Sequence, residues 1–447
     1  MFRLASPVVL AQVGLMLMGV VDTAMVGRVS PATIAAVALG HIYWVNLTIL
    51  GIGILLVLDP VVSQAVGAND REGVARAIQR GVLLALAMSI PTSLLLIPGE
   101  FFFGLLRQPA EVTPIAAEFT RWSIGGVVPF YLFVVLRQSL QAMASVKPVV
   151  IAIIVGNVVN AVLNWMLIYG HGGLPALGAI GSAISTVISR WLMLAITLVL
   201  GWPRLHAALR PWRAESWRAK PMLRMVRIGL PVGFQQWLEI GVFAFGAVAI
   251  GWFGANSLAG HEIALNLAAL TFMVPLGISA AAAAMVGRAI GRRDLPAARR
   301  DAVAALAVGA GFMSVAAILF LLAPRALALI FVSDPETVTV AASLIAIAGL
   351  FQVFDGIQGV VTGVLRGTGD TRVPMLLHLG GFWGLGVPLS LFLAFRLHMG
   401  PRGIWWGYVG SLGAVAIMQL LRARWRLAQD IQRLRIEETL EDLVAGA

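Results

Sequence analysis

The sequence contains no cysteine, which excludes disulfides and thiolate metal sites and removes the usual guide to redox compartment. Charge is scarce too. Asp, Glu, Lys and Arg make up 12% of the residues, about half the roughly 25% of a soluble domain. The few histidines and acids show no zinc spacing, no phosphate loop is present, and no nucleophile stands beside a base. A membrane-embedded enzyme would need His and acidic residues clustered at one membrane face, and they are not so placed. The sequence argues against an enzyme. What is abundant is apolar: 59% of the 447 residues are hydrophobic, and the mean hydropathy is +0.90. The chain reads as an all-α integral membrane protein.

The net charge of +11 suggests nucleic acid only until the charges are placed. They lie between apolar runs and form no patch, so they report topology, and no nucleic-acid partner is expected. Twelve apolar runs are separated by Gly, Pro and charge, six before residue 200 and six between 225 and 422. With a cytoplasmic N-terminus, the N-terminal segment, the alternate loops and the tail take 25 of the 32 Lys and Arg. The opposite side keeps Arg28, Arg107, Arg121, Arg325, Arg396 and Arg402, while Arg190 falls within a span. The positive-inside rule therefore places both termini in the cytoplasm. Only Arg3 precedes the first run, and no convincing small-residue cleavage site follows. That run reads as a retained helix and not a signal peptide.

The two sets of six runs repeat. On a shift of 224 residues, Arg3, Pro7, Gln12, Gly27, Ala35, Gly67, Asp70 and Arg76 fall on Arg227, Pro231, Gln236, Gly251, Ala259, Gly291, Asp294 and Arg300. Further on, LQAMASVKP (140–148) answers LRGTGDTRVP (365–374) with one residue inserted. Each half has an even number of spans, so the repeats are parallel, an arrangement suited to alternating access around a midplane site. The expected organisation is an N-terminal six-helix lobe (1–200), a linker (201–224), a C-terminal six-helix lobe (225–422) and a tail (423–447). The linker, with Trp202, Trp212, Trp217 and several arginines, reads as an amphipathic segment in the cytoplasmic interface or as a connector with snorkelling anchors. The tail is expected to form a short cytoplasmic helix.

Ionisable residues inside apolar spans carry the functional signal, since each costs roughly 2.5–3.5 kcal/mol on insertion scales. Asp22 lies near the far end of the first run, where it is either part of an ion path or hydrated at the interface. Glu239 sits midway along the seventh run in QQWLEIGVF, one turn after Gln235. Asp355 lies deep in the tenth, where Gln352, Asp355, Gln358, Thr362 and Arg366 form a polar stripe at three- and four-residue spacing. Such a stripe faces protein or water, not lipid, and either handles ions or bonds helices together. Asn157, Asn160 and Asn164 share the fifth run and are open to the same two readings. Glu262 and His261 open the eighth run near its outer end, which favours hydration. His41 and His378 are expected to be packing or gating residues. A carboxylate in a low-dielectric cleft can hold a proton and release it when hydrated. The same oxygens can ligate a hard cation, and beside Met and aromatic rings they suit lipophilic cations. Competition for one site is the basis of antiport.

The motifs MGVVDTAMVG, VSQAVGAND, LQAMASVKP and NVVNAVLNWMLIYG followed by GLPALGAIGSAISTVISRW make the chain resemble the multidrug and toxic compound extrusion (MATE) family, with Glu239 and Asp355 marking its NorM branch. The resemblance covers about 1–422. It implies a MATE fold and a secondary active antiporter that exports cationic amphipathic molecules in exchange for Na⁺ or H⁺, in the bacterial inner membrane. It implies no cofactor beyond the coupling ion, and a monomer is expected. By resemblance Glu239 and Asp355 match the C-terminal cation site, with Gln235, Gln352 and Gln358 in support. Asp22, Asn160, Asn164 and Thr186 match the polar network of the N-terminal lobe. Phe351, Glu262 and Met18 are candidate cavity residues. Phe351 stands where NorM-type proteins carry a tyrosine, which keeps ring contact but removes a ligand. The alternative within the superfamily is a lipid-linked precursor flippase, for which Arg190 and Arg137 would have to bind phosphate. A channel is disfavoured, because single acids form no charged ring.

Overall fold

The computed structural model describes residues 2–437, with side chains from Ala5 onward. Among the described residues twelve helices are long and apolar enough to cross a membrane. In the first half they are Ala5–Val26, Pro31–Gly67, Arg71–Leu96, Thr113–Ala142, Lys147–Tyr169 and Ala179–Leu209. In the second they are Ala219–Gly251, Ala255–Gly291, Leu295–Leu322, Pro335–Gly367, Arg372–Arg396 and Pro401–Ala428. They are numbered here as spans one to twelve. The all-helical, twelve-span reading holds. Several spans outrun their hydropathy limits: span two turns at 56–57 and continues to Gly67, so VSQAVG is helical.

The internal repeat reappears as shared local structure. Asp70 caps span three by accepting a bond from Gly73 N (2.8 Å), and Asp294 caps span nine by accepting one from Ala297 N (3.0 Å). The residues just before these caps, Asn69 and Arg293, both turn through positive φ (55° and 59°). A side-chain oxygen at this position satisfies a backbone N–H that the first turn leaves unpaired. Asp70 and Asp294 therefore match because both helices must start there.

The chain forms two compact units. One comprises Leu10–Gly233 with the described tail residues from Arg435, and the other comprises Phe234–Leu434 with the described residues up to Val9. The boundary falls inside span seven, not in the 201–224 linker, and glycine contacts explain it. In the first unit a Cβ on Gly53 would land on the Gly233 backbone, and one on Gly229 would lie 2.7 Å from Ile54 Cα. Gly229 and Gly233, four residues apart, let the start of span seven lie directly on span two. In the second unit a Cβ on Gly277 would lie 2.7 Å from Val9 Cα. Gly277 and Val9 are the repeat equivalents of Gly53 and Gly233, so one backbone-to-backbone contact is built twice.

The linker is shorter and better anchored than expected. Span six stays helical to Leu209 and span seven begins at Ala219. Pro211 ends the helix, since the residue before a proline is pushed to extended backbone, and Arg210 has φ −134° and ψ 134°. Gln79 of span three then holds the turn. Its Nε2 donates to Ala208 O (2.9 Å) and Pro211 O (3.0 Å), while its Oε1 accepts from Arg213 N and Ser216 Oγ. Trp212 and Trp217 remain exposed, as interfacial anchors would.

Past Ala428 the described tail residues do not continue the expected helix. Span twelve runs to Ala428, and residues 430–437 are irregular; the rest of the tail lies outside the described residues. Ile436 is buried against the first unit's core, which pulls this stretch out of helical register. Glu437 receives Arg80 (Nη1–Oε1 2.8 Å) and Arg76 (Nε–Oε1 2.8 Å), and its carbonyl accepts from Arg224 (2.9 Å).

Two outcomes follow. Gly53→Val should lower thermal stability in detergent by about 1–3 kcal/mol, the usual cost of overpacking; a wild-type unfolding temperature would contradict the contact. Partial burial pushes the Glu437 carboxyl up, but Arg80 and Arg76 outweigh it and hold it below its ordinary range. Its stabilising effect is therefore present above the unfolded titration near pH ~4.3 and lost as pH falls through the lower folded value. Glu437→Gln should cost about 1–2 kcal/mol at pH 7, less than for a fully buried pair, because the Glu437 side chain is 37% exposed. The gap to wild type should close in acid, and a gap that persists there would rule the ion pair out.

Candidate functional site

In the first unit the polar residues of spans one, five and six close into a ring. Asp22 Oδ1 accepts from Asn164 Nδ2 (2.5 Å), and its Oδ2 accepts from Thr186 Oγ1 (2.8 Å). Asn164 Nδ2 also donates to Asn160 Oδ1 (3.3 Å), and Asn160 Nδ2 donates to Thr186 Oγ1 (3.4 Å). The i,i+4 spacing puts both asparagines on one face, and both are fully buried. Every donor serves the Asp22 carboxyl group directly or through one neighbour. Asn164 Oδ1 is buried without a hydrogen-bond partner, so an oxygen ligand is left over beside the carboxylate. Nearby, the Arg190 guanidinium lies over the Trp44 ring at 3.8 Å and the Phe130 ring at 5.2 Å.

In the second unit the two acids share one amide. Gln358 Nε2 donates to Glu239 Oε1 (3.1 Å) and to Asp355 Oδ1 (3.2 Å). One amide cannot neutralise two charges. Two carboxylates held this way repel unless a proton or a cation joins them. Beyond Gln358 the network continues. His378 Nε2 lies 3.1 Å from Gln358 Oε1 and 3.2 Å from Gln235 Nε2, and its Nδ1 lies 2.9 Å from Pro374 O and 3.1 Å from Gln419 Nε2. Thr362 Oγ1 donates to Gln419 Oε1 (3.2 Å) and accepts from Gln235 Nε2 (3.4 Å).

Asp22, Asn160, Asn164 and Thr186 are thus together, as are Glu239, Asp355, Gln358 and Gln235. Gln352 turns aside and donates to Thr271 Oγ1 (2.6 Å). Asn157 donates to Gly14 O (3.0 Å), a bond between spans five and one. Phe351 is 1% exposed and packs with Phe243, Trp405 and Tyr408. Met18 is buried in the first unit's core, and Glu262 is exposed. Sequence reasoning misses Gln419 and reads His378 only as a packing or gating residue. A lone histidine in an apolar run looks like packing, and its partners come from spans seven, ten and twelve, so no local spacing joins them. Among the described residues no group of three His, Asp or Glu gathers to hold a metal.

Twelve apolar helices among the described residues, in two repeats that each hold an acid-centred polar network, define a repeat-built multi-pass membrane protein. The family model described as MatE matches residues 7–166 and again 231–392, a second match that begins 224 residues after the first. The chain belongs to the MatE family. It is 34% identical over 440 residues to the multidrug resistance protein MdtK of Yersinia pseudotuberculosis, covering 95% of this chain and 94% of that relative. It is 37% identical over 434 residues to the multidrug resistance protein NorM of Burkholderia vietnamiensis, covering 94% and 92%. Among solved structures, a MATE in the bent conformation superposes with TM-score 0.87 at 20% identity, covering 95% of this chain and 94% of that one. The eukaryotic MATE transporter AtDTX14 gives 0.85 at 22%, covering 96% and 97%. At such identities the likeness establishes the fold.

Asn164→Leu removes one donor from Asp22 and should cost about 1–3 kcal/mol in thermal stability. In an Asp22→Leu background the same change should cost much less, because no carboxylate is left unpaired. Additive losses in that cycle would show that the ring is not the source of the energy.

Proposed function

We propose that this chain is a secondary active multidrug efflux antiporter, which exports organic cations in exchange for Na⁺ or H⁺ by alternating access. The observation that carries the reading is the Glu239–Gln358–Asp355 cluster, two carboxylates on one amide in otherwise apolar helices. Such a pair is suited to accept one positive charge at a time. A proton, a hard cation or an organic cation meets the same need, and mutual exclusion among them couples one flux to the other. The Asp22 ring supplies a second candidate coupling site, with Asn164 Oδ1 as a further oxygen ligand. The names of the MdtK and NorM relatives support multidrug substrates. The basic loops support a plasma-membrane protein with both termini cytoplasmic, and the reading needs neither cofactor nor second copy. The flippase alternative has less support, since Arg190 lies over Trp44 and Arg137 donates to Gln12 Oε1 (3.2 Å).

The test is efflux of a fluorescent organic cation from proteoliposomes under a Na⁺ gradient or a pH gradient, each imposed alone. One gradient should drive efflux, and Asp355→Asn or Asp22→Asn should slow it by roughly tenfold or more, as loss of about 1.4 kcal/mol of ion binding requires. Full-rate transport in Asp22→Asn, Glu239→Gln and Asp355→Asn alike would sink the proposal.

A further inference from the structure

We propose that His378 is a positioning residue of the C-terminal carboxylate site, whose proton state selects which amides it holds and so, through Gln358, whether Glu239 and Asp355 remain bridged. The inference rests on the cation-exchange reading of that site and adds to it a second proton-sensing group.

The geometry offers His378 more partners than one protonation state can serve. The amide orientations follow from their other contacts. Gln358 must turn its NH₂ toward the two carboxylates, which leaves its Oε1 facing His378 Nε2 at 3.1 Å. Gln419 accepts from Thr362 on its Oε1, which leaves its NH₂ facing His378 Nδ1 at 3.1 Å. Each ring nitrogen therefore meets one oxygen and one amide nitrogen: Nδ1 has Pro374 O and Gln419 Nε2, and Nε2 has Gln358 Oε1 and Gln235 Nε2. An oxygen needs N–H on the ring, whereas an amide N–H needs a ring lone pair.

Three states result. Imidazolium donates to both Pro374 O and Gln358 Oε1. The neutral ring with its proton on Nε2 keeps Gln358 and accepts from Gln419. With its proton on Nδ1 it keeps Pro374, accepts from Gln235 and releases Gln358 Oε1. Only the first two fix the amide that bridges the carboxylates. Gln235 has Thr362 Oγ1 as a second acceptor at 3.4 Å, so it can give up the ring without losing every partner.

The surroundings suit this role. His378 is fully buried, so its hydrogen bonds are made within the protein. The helix changes to π-helical turns just after it, over Leu379–Gly386, an irregularity that often accompanies functional positions. Gly381 and Gly386 lie so close to span twelve that a Cβ would strike Val415 or Ser411, which brings Gln419's helix within reach. The charged groups on the elements around the ring are Glu239 on span seven and Asp355 on span ten, both one residue away through Gln358. Arg366 lies one turn beyond Thr362. Arg422, one turn beyond Gln419, is paired with Asp370 (2.7 Å), and Arg372 starts the ring's own span. A positive charge on His378 is attracted by the empty carboxylate pair and repelled once that pair holds a cation. Proton occupancy of the histidine and cation occupancy of the acids therefore oppose each other.

The test is equilibrium binding of tetraphenylphosphonium to the full-length protein in detergent, followed by tryptophan fluorescence between pH 5 and 8. Wild type should bind more tightly as pH rises, through two protonation events. His378→Gln keeps a polar side chain that cannot titrate. It should remove one event and change affinity at the acid end on the order of tenfold, the effect of one unit charge at this range. Gln358→Met, with His378 intact, should shrink the same event, because the hydrogen-bond bridge is lost and only the through-space effect of the ring's charge remains. A folded His378→Gln that keeps the full wild-type profile overturns the proposal. If that variant does not fold, a wild-type profile in Gln358→Met overturns it. Failure of the underlying site reading looks different: Asp355→Asn would then leave both affinity and pH profile unchanged.

Discussion

A carboxylate placed in hydrocarbon has to be given donors, a counter-charge or a proton, and the polar architecture of this chain is organised around that requirement. Each half answers it differently. Asp22 is closed into a ring of amides and a hydroxyl that satisfies both of its oxygens. Glu239 and Asp355 are left sharing a single amide, an arrangement complete only when something positive joins them. The first has its carboxyl oxygens bonded and one amide oxygen, Asn164 Oδ1, to spare, and the second asks for a ligand outright. Transport driven by an ion gradient needs a group of the second kind.

The apolar framework makes that chemistry affordable by keeping helices close where polar side chains must meet. Glycines do this at the start of spans one and seven, where Gly53–Gly233 and Gly277–Val9 repeat one contact in the two units. They do it again where span eleven meets span twelve, beside His378. Lipid gives helices no hydrophobic reason to associate, so close backbone approach and interhelical hydrogen bonds carry the association. The same residues that shape the packing therefore set the distances in the carboxylate clusters.

Much of this is legible in the sequence. Hydropathy finds twelve spans because hydrocarbon thickness dictates their length, and the repeat is visible because capping acids and small residues recur at matching positions. Asp22, Glu239 and Asp355 announce themselves as charges in apolar runs, and Asn160 with Asn164 by helical spacing. Gln352 shares the stripe of Asp355, yet it bonds across to Thr271, because a three-residue step also rotates a side chain toward a different neighbour. Gln419 is silent and His378 shows only as a packing or gating residue, since their meaning lies in contacts among four different spans. The limits of the linker and the tail are likewise tertiary: Gln79 holds one, and Arg76 and Arg80 hold the other.

The central claim is that one carboxylate site holds either the coupling ion or the organic cation. The most direct measurement is calorimetric titration of tetraphenylphosphonium into purified protein, in buffers of different ionisation enthalpy and at low and high Na⁺. Exchange predicts that binding releases an ion. Either the heat varies with the buffer, marking a displaced proton, or affinity falls about tenfold per tenfold rise in Na⁺ above its dissociation constant, as one-for-one competition requires. Binding with the same heat in every buffer and the same affinity at every Na⁺ concentration would contradict it.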